Sequence, residues 1–241
     1  MPKYKLYHFK SLTSTQDKAK ELANKGLSNV VIVADAQTKG RGRFKRKWHS
    51  GKDGLYMSIL LKPKDISKLQ YLTFAASVAV ISSIKKTAKL NTNIKWPNDV
   101  HYKGKKLCGI LTEGIFGKEN HAIVGIGLNV NQSKFTNEIK NTATSLRIIS
   151  NAEFNIENLA KNIIDEFFTL YGNYYEKNKP ESISKIWKKY CDTINKEVIA
   201  VTKTKRIYGR AIGVDNDCNL LLKLKDKKVI KIIEGDVSVR Y

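Results

Sequence analysis

The sequence predicts an α+β protein, with a mixed β-sheet domain flanked by helices and a small all-β module after it. Two features of pattern and one of size predict this. Short apolar runs of strand character alternate with segments of 3,4 helical spacing through most of the chain. After about residue 195 the texture changes to short strands separated by Asp/Asn turns. With 241 residues, 41% of them hydrophobic, the chain can bury one sizeable core and carry an appendage. The expected domains are residues 1–194 and 195–241.

The elements follow in order. Residues 4–9 alternate and read as a strand. Ser14-Thr15-Gln16-Asp17 has the hydroxyl and trailing acid of a capping box, so a helix should run to about Asn24 and stop at Gly26. The β-branched run 30–36 reads as a buried strand, and 55–61 as another, ended by Pro63. Leu69, Leu72, Ala76, Val80 and Ile84 recur at intervals of 3 and 4, predicting a helix over 67–90. Strands 94–96 and 100–102 flank a Pro-Asn-Asp turn, Lys103-Gly104 turns the chain into 107–113, and residues 117–120 turn it into 122–130. Asn155 should cap a helix to about Tyr175, with Leu159, Ile163, Phe167 and Leu170 on one face, and 182–190 reads as a shorter helix. Residues 198–201, 208–214, 220–224 and 229–233 read as the short strands of a small β-barrel.

Composition excludes several classes. The N-terminus has no apolar core ahead of a small-residue cleavage site, and the longest apolar stretch, 74–81, is far too short to cross a bilayer, so a cytoplasmic protein is expected. Cys108, Cys191 and Cys218 are odd in number and widely spaced, which predicts buried, reduced thiols. His8, His49, His101 and His121 form no HExxH or HxH pair, so no tightly bound, protein-held metal is expected. Lys and Arg total 44 against 22 Asp and Glu, a net charge of +22 that favours anionic partners without saying which.

Residues 38–50, TKGRGRFKRKWHS, pack six Lys/Arg and two Gly into thirteen positions. Glycines let backbone N–H groups approach an anion and arginines add a planar donor fork, yet a basic surface loop or an RNA-binding segment has the same composition. Lys95-Trp96-Pro97-Asn98-Asp99 puts a cation at a strand end before a rigid turn. In Lys106-Leu107-Cys108-Gly109-Ile110-Leu111-Thr112-Glu113, a period of two places Lys106, Cys108 and Ile110 on one face, and Gly109 lets a ligand approach the backbone. Gly125-Ile126-Gly127-Leu128-Asn129-Val130-Asn131 does not fit a Rossmann fingerprint; paired glycines and alternating asparagines suggest close backbone approach beside hydrogen-bonding side chains.

Taken in order, Ser14-Thr15, GRGRxxRxW at 40–48, KWPND at 95–99, KxxGIL(x)E at 106–113, GIGxNVN at 125–131 and ATSL at 143–146 cover nearly the whole chain and resemble the biotin–protein ligases. The resemblance implies a class II synthetase-like catalytic domain with an SH3-like C-terminal barrel. It implies that biotin and ATP give biotinoyl-AMP and pyrophosphate, and that a lysine of an acceptor protein then takes the biotinoyl group. Lys106 would lie between biotin carboxylate and α-phosphate, with Lys95 and Arg43 as its catalytic companions. Arg41, Arg43, Arg46 and Lys95 would neutralise phosphate, and Mg²⁺ would arrive with ATP, held mostly by phosphate and water. Ser14, Thr15, Gln37, Gly40, Arg41, Arg43, Trp48, Lys106, Gly109, Ile110, Leu111 and Gly127 would surround biotin. Arg41, Arg43, Arg46, Trp48, Lys95, Asn98, Asp99, Lys106, Asn129 and Asn131 would surround the nucleotide. Gln16 stands where many relatives have Asn, Thr15 could also cap its helix, and Glu113 could orient a lysine.

Some members carry an N-terminal winged-helix domain and repress transcription. None fits ahead of Ser14, so a ligase without sequence-specific DNA binding is expected. The acceptor would be the biotin carboxyl carrier protein or domain of a carboxylase, and a homodimer is possible. Lipoate–protein ligases of the same superfamily are the enzymatic alternative, disfavoured by GRGRxxRxW. A basic nucleic-acid-binding module is the other alternative, disfavoured because residues 196–241 hold only Tyr208 and Tyr241 as aromatic platforms.

Overall fold

A computed structural model describes residues 3–202, 205–233 and 235–239. Its first sheet is built from β1 (Lys5–Phe9), β2 (Val30–Ala34), β3 (Gly54–Leu61), β4 (Asn93–Lys95), β5 (Asp99–Tyr102), β6 (Lys105–Ile115) and β7 (His121–Asn129). The spatial order is β1-β2-β3-β7-β6-β5-β4. β1 and β2 are parallel, because helix α1 (Thr15–Asn24) carries the chain back between them; the other neighbours are antiparallel. The sheet is therefore mixed, as expected.

Both faces of the sheet are covered. On one face Ala19, Leu22 and Ala23 of α1 pack against Val30, Ile32, Leu60 and Ile123. On the other, α2 (Leu69–Ala88) lies between the sheet and the helices α4 (Ile156–Leu170) and α5 (Glu181–Lys188). The 3,4 spacing marks α2 as a helix, but the helix is buried nearly all round rather than along one stripe, as befits a central element. Phe74 of α2 stacks on Trp187 of α5 with ring centroids 3.9 Å apart. Burying one such ring contributes about 1.5–3 kcal/mol.

Several boundaries depart from the sequence pattern. α2 starts at Leu69 because Asp65 accepts the Ser67 amide and holds residues 66–68 in a separate 3-10 turn. A short helix, α3 (Leu146–Ser150), capped by Ser145, begins at the last residue of the ATSL stretch, where no pattern predicts a helix. α4 begins after Asn155 as predicted, but its last predicted turn is a single π turn, Tyr171–Tyr175. That wider turn aims the Tyr175 hydroxyl at the Asp65 carbonyl, to which it donates at 2.5 Å.

The second sheet comprises β8 (Glu197–Val201), β9 (Arg206–Val214), β10 (Leu220–Lys223), β11 (Val229–Ile232) and β12 (Asp236–Val239), all antiparallel, in the order β11-β10-β9-β8-β12. The four strands expected are thus five. β12 pairs with β8, and its four residues are too few for alternation to be conspicuous in the sequence. Tyr241 lies outside the described residues. The two sheets share a polar seam: Trp96 Nε1 donates to the Cys218 carbonyl at 3.0 Å, and the Tyr71 hydroxyl donates to the Asn216 carbonyl.

All three cysteines are buried thiols, as expected. Burial pushes the Cys191 thiol up to about 11 and the Cys218 thiol up to about 12, so neither is a thiolate near neutrality. No helix among the described residues is long and apolar enough to cross a membrane. No group of three or more His, Cys, Asp or Glu among them could hold a metal ion.

Candidate active site

A cleft of about 230 Å³ opens on the α1 face of the first sheet, under the basic loop. Its floor is glycine. Gly109 and Gly127 face each other across β6 and β7, and Trp48 lies directly on them. A Cβ at Gly127 would sit 2.5 Å from Trp48 Nε1, and one at Gly109 would sit 3.0 Å from the Trp48 ring. Hydrogen at these positions is therefore what lets the indole lie flat on the sheet.

Lys106 reaches this floor through a β-bulge. Asp99 pairs with Gly109 and Val100 with Cys108, but His101 pairs with Lys106, so Leu107 is the extra residue. The expectation that Lys106 shares a face with Cys108 and Ile110 is corrected here. Cys108 and Ile110 point into the α2 core, whereas the bulge turns Lys106 to the glycine face, within 3.3 Å of where a Gly109 Cβ would be. There its Nζ pairs with Asp99 Oδ1 at 2.7 Å and sits 5.3 Å from the centre of the Trp48 ring.

The polar end is built at the start of α1. Ser14, not Thr15, is the helix cap: its Oγ accepts from the Gln16 amide at 3.2 Å. Asp17 does not close a capping box but pairs with Arg41 at 2.6 Å. Gln37 Oε1 accepts from the Thr15 amide at 2.8 Å and from its hydroxyl at 3.2 Å, while Gln37 Nε2 donates to Ser50 Oγ at 2.9 Å. The buried Ser58 hydroxyl lies 2.8 Å from both Thr15 Oγ1 and Gln16 Oε1, and Gln16 Nε2 donates to Glu113 at 2.7 Å. This polar chain orients every side chain in it.

The basic loop leaves and rejoins the sheet in a narrow hairpin. The Trp48 amide donates to the Gly40 carbonyl at 2.9 Å and the Gly42 amide to the Arg46 carbonyl at 2.7 Å. Gly40 lies at the base of the hairpin, where a Cβ would meet Ser50 Oγ at 2.3 Å. The loop's arginines point three ways. Arg41 turns to Asp17 and Glu113, Arg43 donates to Asn98 Oδ1 and to the Gly235 carbonyl at 3.2 Å each, and Arg46 pairs with Asp236. Arg43 and Arg46 thereby connect the loop to the second sheet. The opposite wall is the segment containing Phe135, Ile139, Thr142 and Ala143. The Thr144 carbonyl accepts from Asn129 Nδ2 at 2.9 Å, and Lys106 exchanges backbone hydrogen bonds with Thr142 and Thr144.

A slot with a flat apolar floor, running into a cluster of cations, suits a ligand with an apolar body and an acidic end. Comparison with known proteins decides the assignment. Residues 8–131 match the Biotin/lipoate A/B protein ligase family, and residues 193–240 match the biotin protein ligase C-terminal domain. The chain belongs to the biotin/lipoate A/B protein ligase family. It is similar to the bifunctional ligase/repressor BirA of Bacillus subtilis, with 37% identity over 99% of this chain and 75% of that protein. It is also similar to the biotin–[acetyl-CoA-carboxylase] ligase of Mycobacterium tuberculosis, with 27% identity over 91% of this chain and 82% of that protein. Among solved structures, the Aquifex aeolicus biotin protein ligase in complex with biotin and ATP superposes with a TM-score of 0.87 at 30% identity, covering 98% of each chain.

Within this ligase the cleft gathers most of the residues singled out by sequence: Ser14, Thr15, Gln37, Arg41, Arg43, Arg46, Trp48, Asn98, Asp99, Lys106, Gly109, Ile110, Leu111, Gly127 and Asn129. Gly40, Lys95 and Asn131 are not among its lining. Gly40 shapes the loop base, as above. Lys95 ends β4, opposite Asp99. Asn131 exchanges two hydrogen bonds with the Phe154 backbone, at 2.8 and 2.9 Å, and braces the chain ahead of α4. Glu113 does bind a lysine, Lys20 at 3.1 Å.

The cleft and its supports are also built from residues that carry no pattern in the sequence or only a faint one. Ser58 was hidden in an apolar strand, where a lone hydroxyl was the available signal. Gly125 is a place of close approach, as its motif suggests, but what approaches is the Gln16 side chain: a Cβ at Gly125 would sit 2.8 Å from Gln16 Oε1. Phe135, Ile139 and Asp236 carried no pattern at all.

Proposed function

We propose that this ligase activates biotin with ATP to biotinoyl-AMP and pyrophosphate, then transfers biotin to a lysine of a biotin carboxyl carrier protein or domain. The observation that carries the reading is Lys106, turned by the bulge onto the glycine floor, where the apolar slot meets the cation cluster.

The first step brings a carboxylate against the α-phosphate, so its barrier is largely electrostatic and fixed cations lower it. Lys106 is the cation at the junction. Arg43 and Arg46 supply charge from the loop, and Lys95, at the end of β4 where the KWPND turn begins, adds a cation outside the cleft lining. Ser14, Thr15 and Gln37 provide the few oriented polar groups that a ureido head needs, and Trp48 with Leu111 flanks the apolar chain. Asn98, Asp99 and Asn129 lie on the nucleotide side, with Phe135 and Ile139 as apolar surfaces for the base. Mg²⁺ comes with ATP and is held mainly by phosphate and water. In the second step the acceptor amine attacks the acyl carbon and AMP departs. The net charge of +22 favours an acidic carrier.

The test is ATP–pyrophosphate exchange with biotin, lipoate and octanoate in parallel. Biotin-dependent exchange is expected, reduced about 10²–10³-fold by Lys106→Ala. Exchange driven by lipoate instead would move the chain to the lipoate branch.

A further inference from the structure

Behind the main cleft lies a second one of about 140 Å³, at the junction of the two sheets. The two clefts meet at Arg43, Asn98, Ile110 and Leu111. Its outer walls are Gln70 and Thr73 of α2, Thr112 of β6, and two apolar side chains, Pro97 and Ile233. Ile233 is 77% exposed, a large aliphatic side chain held in solvent at the rim. Thr73 donates its hydroxyl to Thr112 at 2.7 Å, so the polar wall is already oriented.

We propose that this second cleft is the path by which the acceptor's lysine side chain reaches the acyl-adenylate; the inference rests on the ligase reaction proposed above. A lysine side chain is an apolar stem with a polar tip, and the cleft matches it with Pro97, Leu111 and Ile233 along the stem and the Thr73 and Thr112 hydroxyls beside it. Arg43 stands at the inner end. A fixed cation there disfavours an ammonium, so an arriving lysine is held as the neutral amine that can attack. The amine nitrogen bonds to the acyl carbon, the carbon–oxygen bond to phosphate breaks, AMP leaves with the electron pair, and the amine's surplus proton passes to solvent. A pyrophosphate exit is the competing use. It fits poorly, because Arg43 is the single cation among the described residues lining the cleft.

Ile233→Trp and Gln70→Trp each narrow the mouth without touching the main cleft. Each variant is assayed for biotin-dependent ATP–pyrophosphate exchange. Single-turnover transfer is then followed from the enzyme-bound adenylate to a biotin carboxyl carrier domain and, separately, to hydroxylamine. The expected result is exchange and hydroxylamine capture near the unmodified level, with transfer to the carrier slowed about tenfold or more. Unchanged carrier transfer in both variants overturns the proposal. So does a parallel loss of exchange or of hydroxylamine capture, which would assign the cleft to adenylation. Absence of biotin-dependent exchange in the unmodified protein is a separate outcome and sinks the ligase reading itself.

Discussion

Gly127 shows how much one missing methyl group decides. Its hydrogen lets Trp48 lie on the sheet, and Lys106 Nζ in turn sits 5.3 Å from the centre of that ring. Gly127→Ala would set a Cβ 2.5 Å from Trp48 Nε1, against a ring that cannot yield without lifting the loop. The expected outcome is a rise in KM for biotin of about tenfold, with Tm lowered by only a few degrees, about 1 kcal/mol. Biotin titration followed by Trp fluorescence, together with thermal melts, checks both. An unchanged KM would mean that the indole does not wall the biotin site. The glycine pair was legible in the sequence as a place of close approach. What approaches it was not, because Trp48 lies 79 residues from Gly127 and no local pattern connects them.

At the scale of elements, the basic loop and β6 make opposite points. The loop's composition marked it as a flexible, cation-rich stretch, and its two glycines lie at the base and turn of a hairpin. Phe44 and Lys45 have φ of 54° and 59°, a left-handed conformation that costs non-glycine residues free energy. A hairpin held by such residues, with four of its side chains exposed, opens at low cost. Trypsin should cleave within residues 41–47 readily in the unliganded protein and slowly with biotin plus ATP present. Equal cleavage rates would count against closure of the loop over ligand. β6 is the converse case. Strict alternation would have buried Lys106 with Cys108. A bulge is a pairing event between two strands, so the β6 sequence alone contains no sign of it.

For the whole molecule, the segment between α5 and β8 carries a contact whose strength should depend on pH. Asp192 sits between His101 at 3.0 Å and Lys196 at 3.2 Å, and its amide donates to the Ile94 carbonyl beside the KWPND turn. Burial pushes the Asp192 carboxyl up, but its bonds to His101 and Lys196 outweigh that and hold it below the usual value. A carboxylate with a lowered folded-state pKa adds stability above its unfolded pKa and loses it as pH falls through the folded value. Asp192→Asn should therefore lower Tm at about pH 7, and the gap to the unmodified protein should close as the pH falls below about 4. Melts across that range check the prediction; a constant gap would show that the carboxylate's charge is not what matters. His101 and Asp192 lie far apart in sequence, so the pair was invisible before folding, as was the attachment of Arg43 and Arg46 to the second sheet.

By itself the sequence determined the fold class, the change of texture near residue 195 and most of the residues that line the cleft. Periodicity, caps and glycine-rich motifs are local, and local rules are enough to read them. Tertiary structure alone decided three things: that Lys106 faces the glycine floor, that Asn131 braces Phe154 instead of lining the cleft, and that a strand of four residues completes the second sheet. Each depends on a partner distant in the chain. Side-chain direction and strand pairing are set by what packs opposite, and that is known only when the chain has folded.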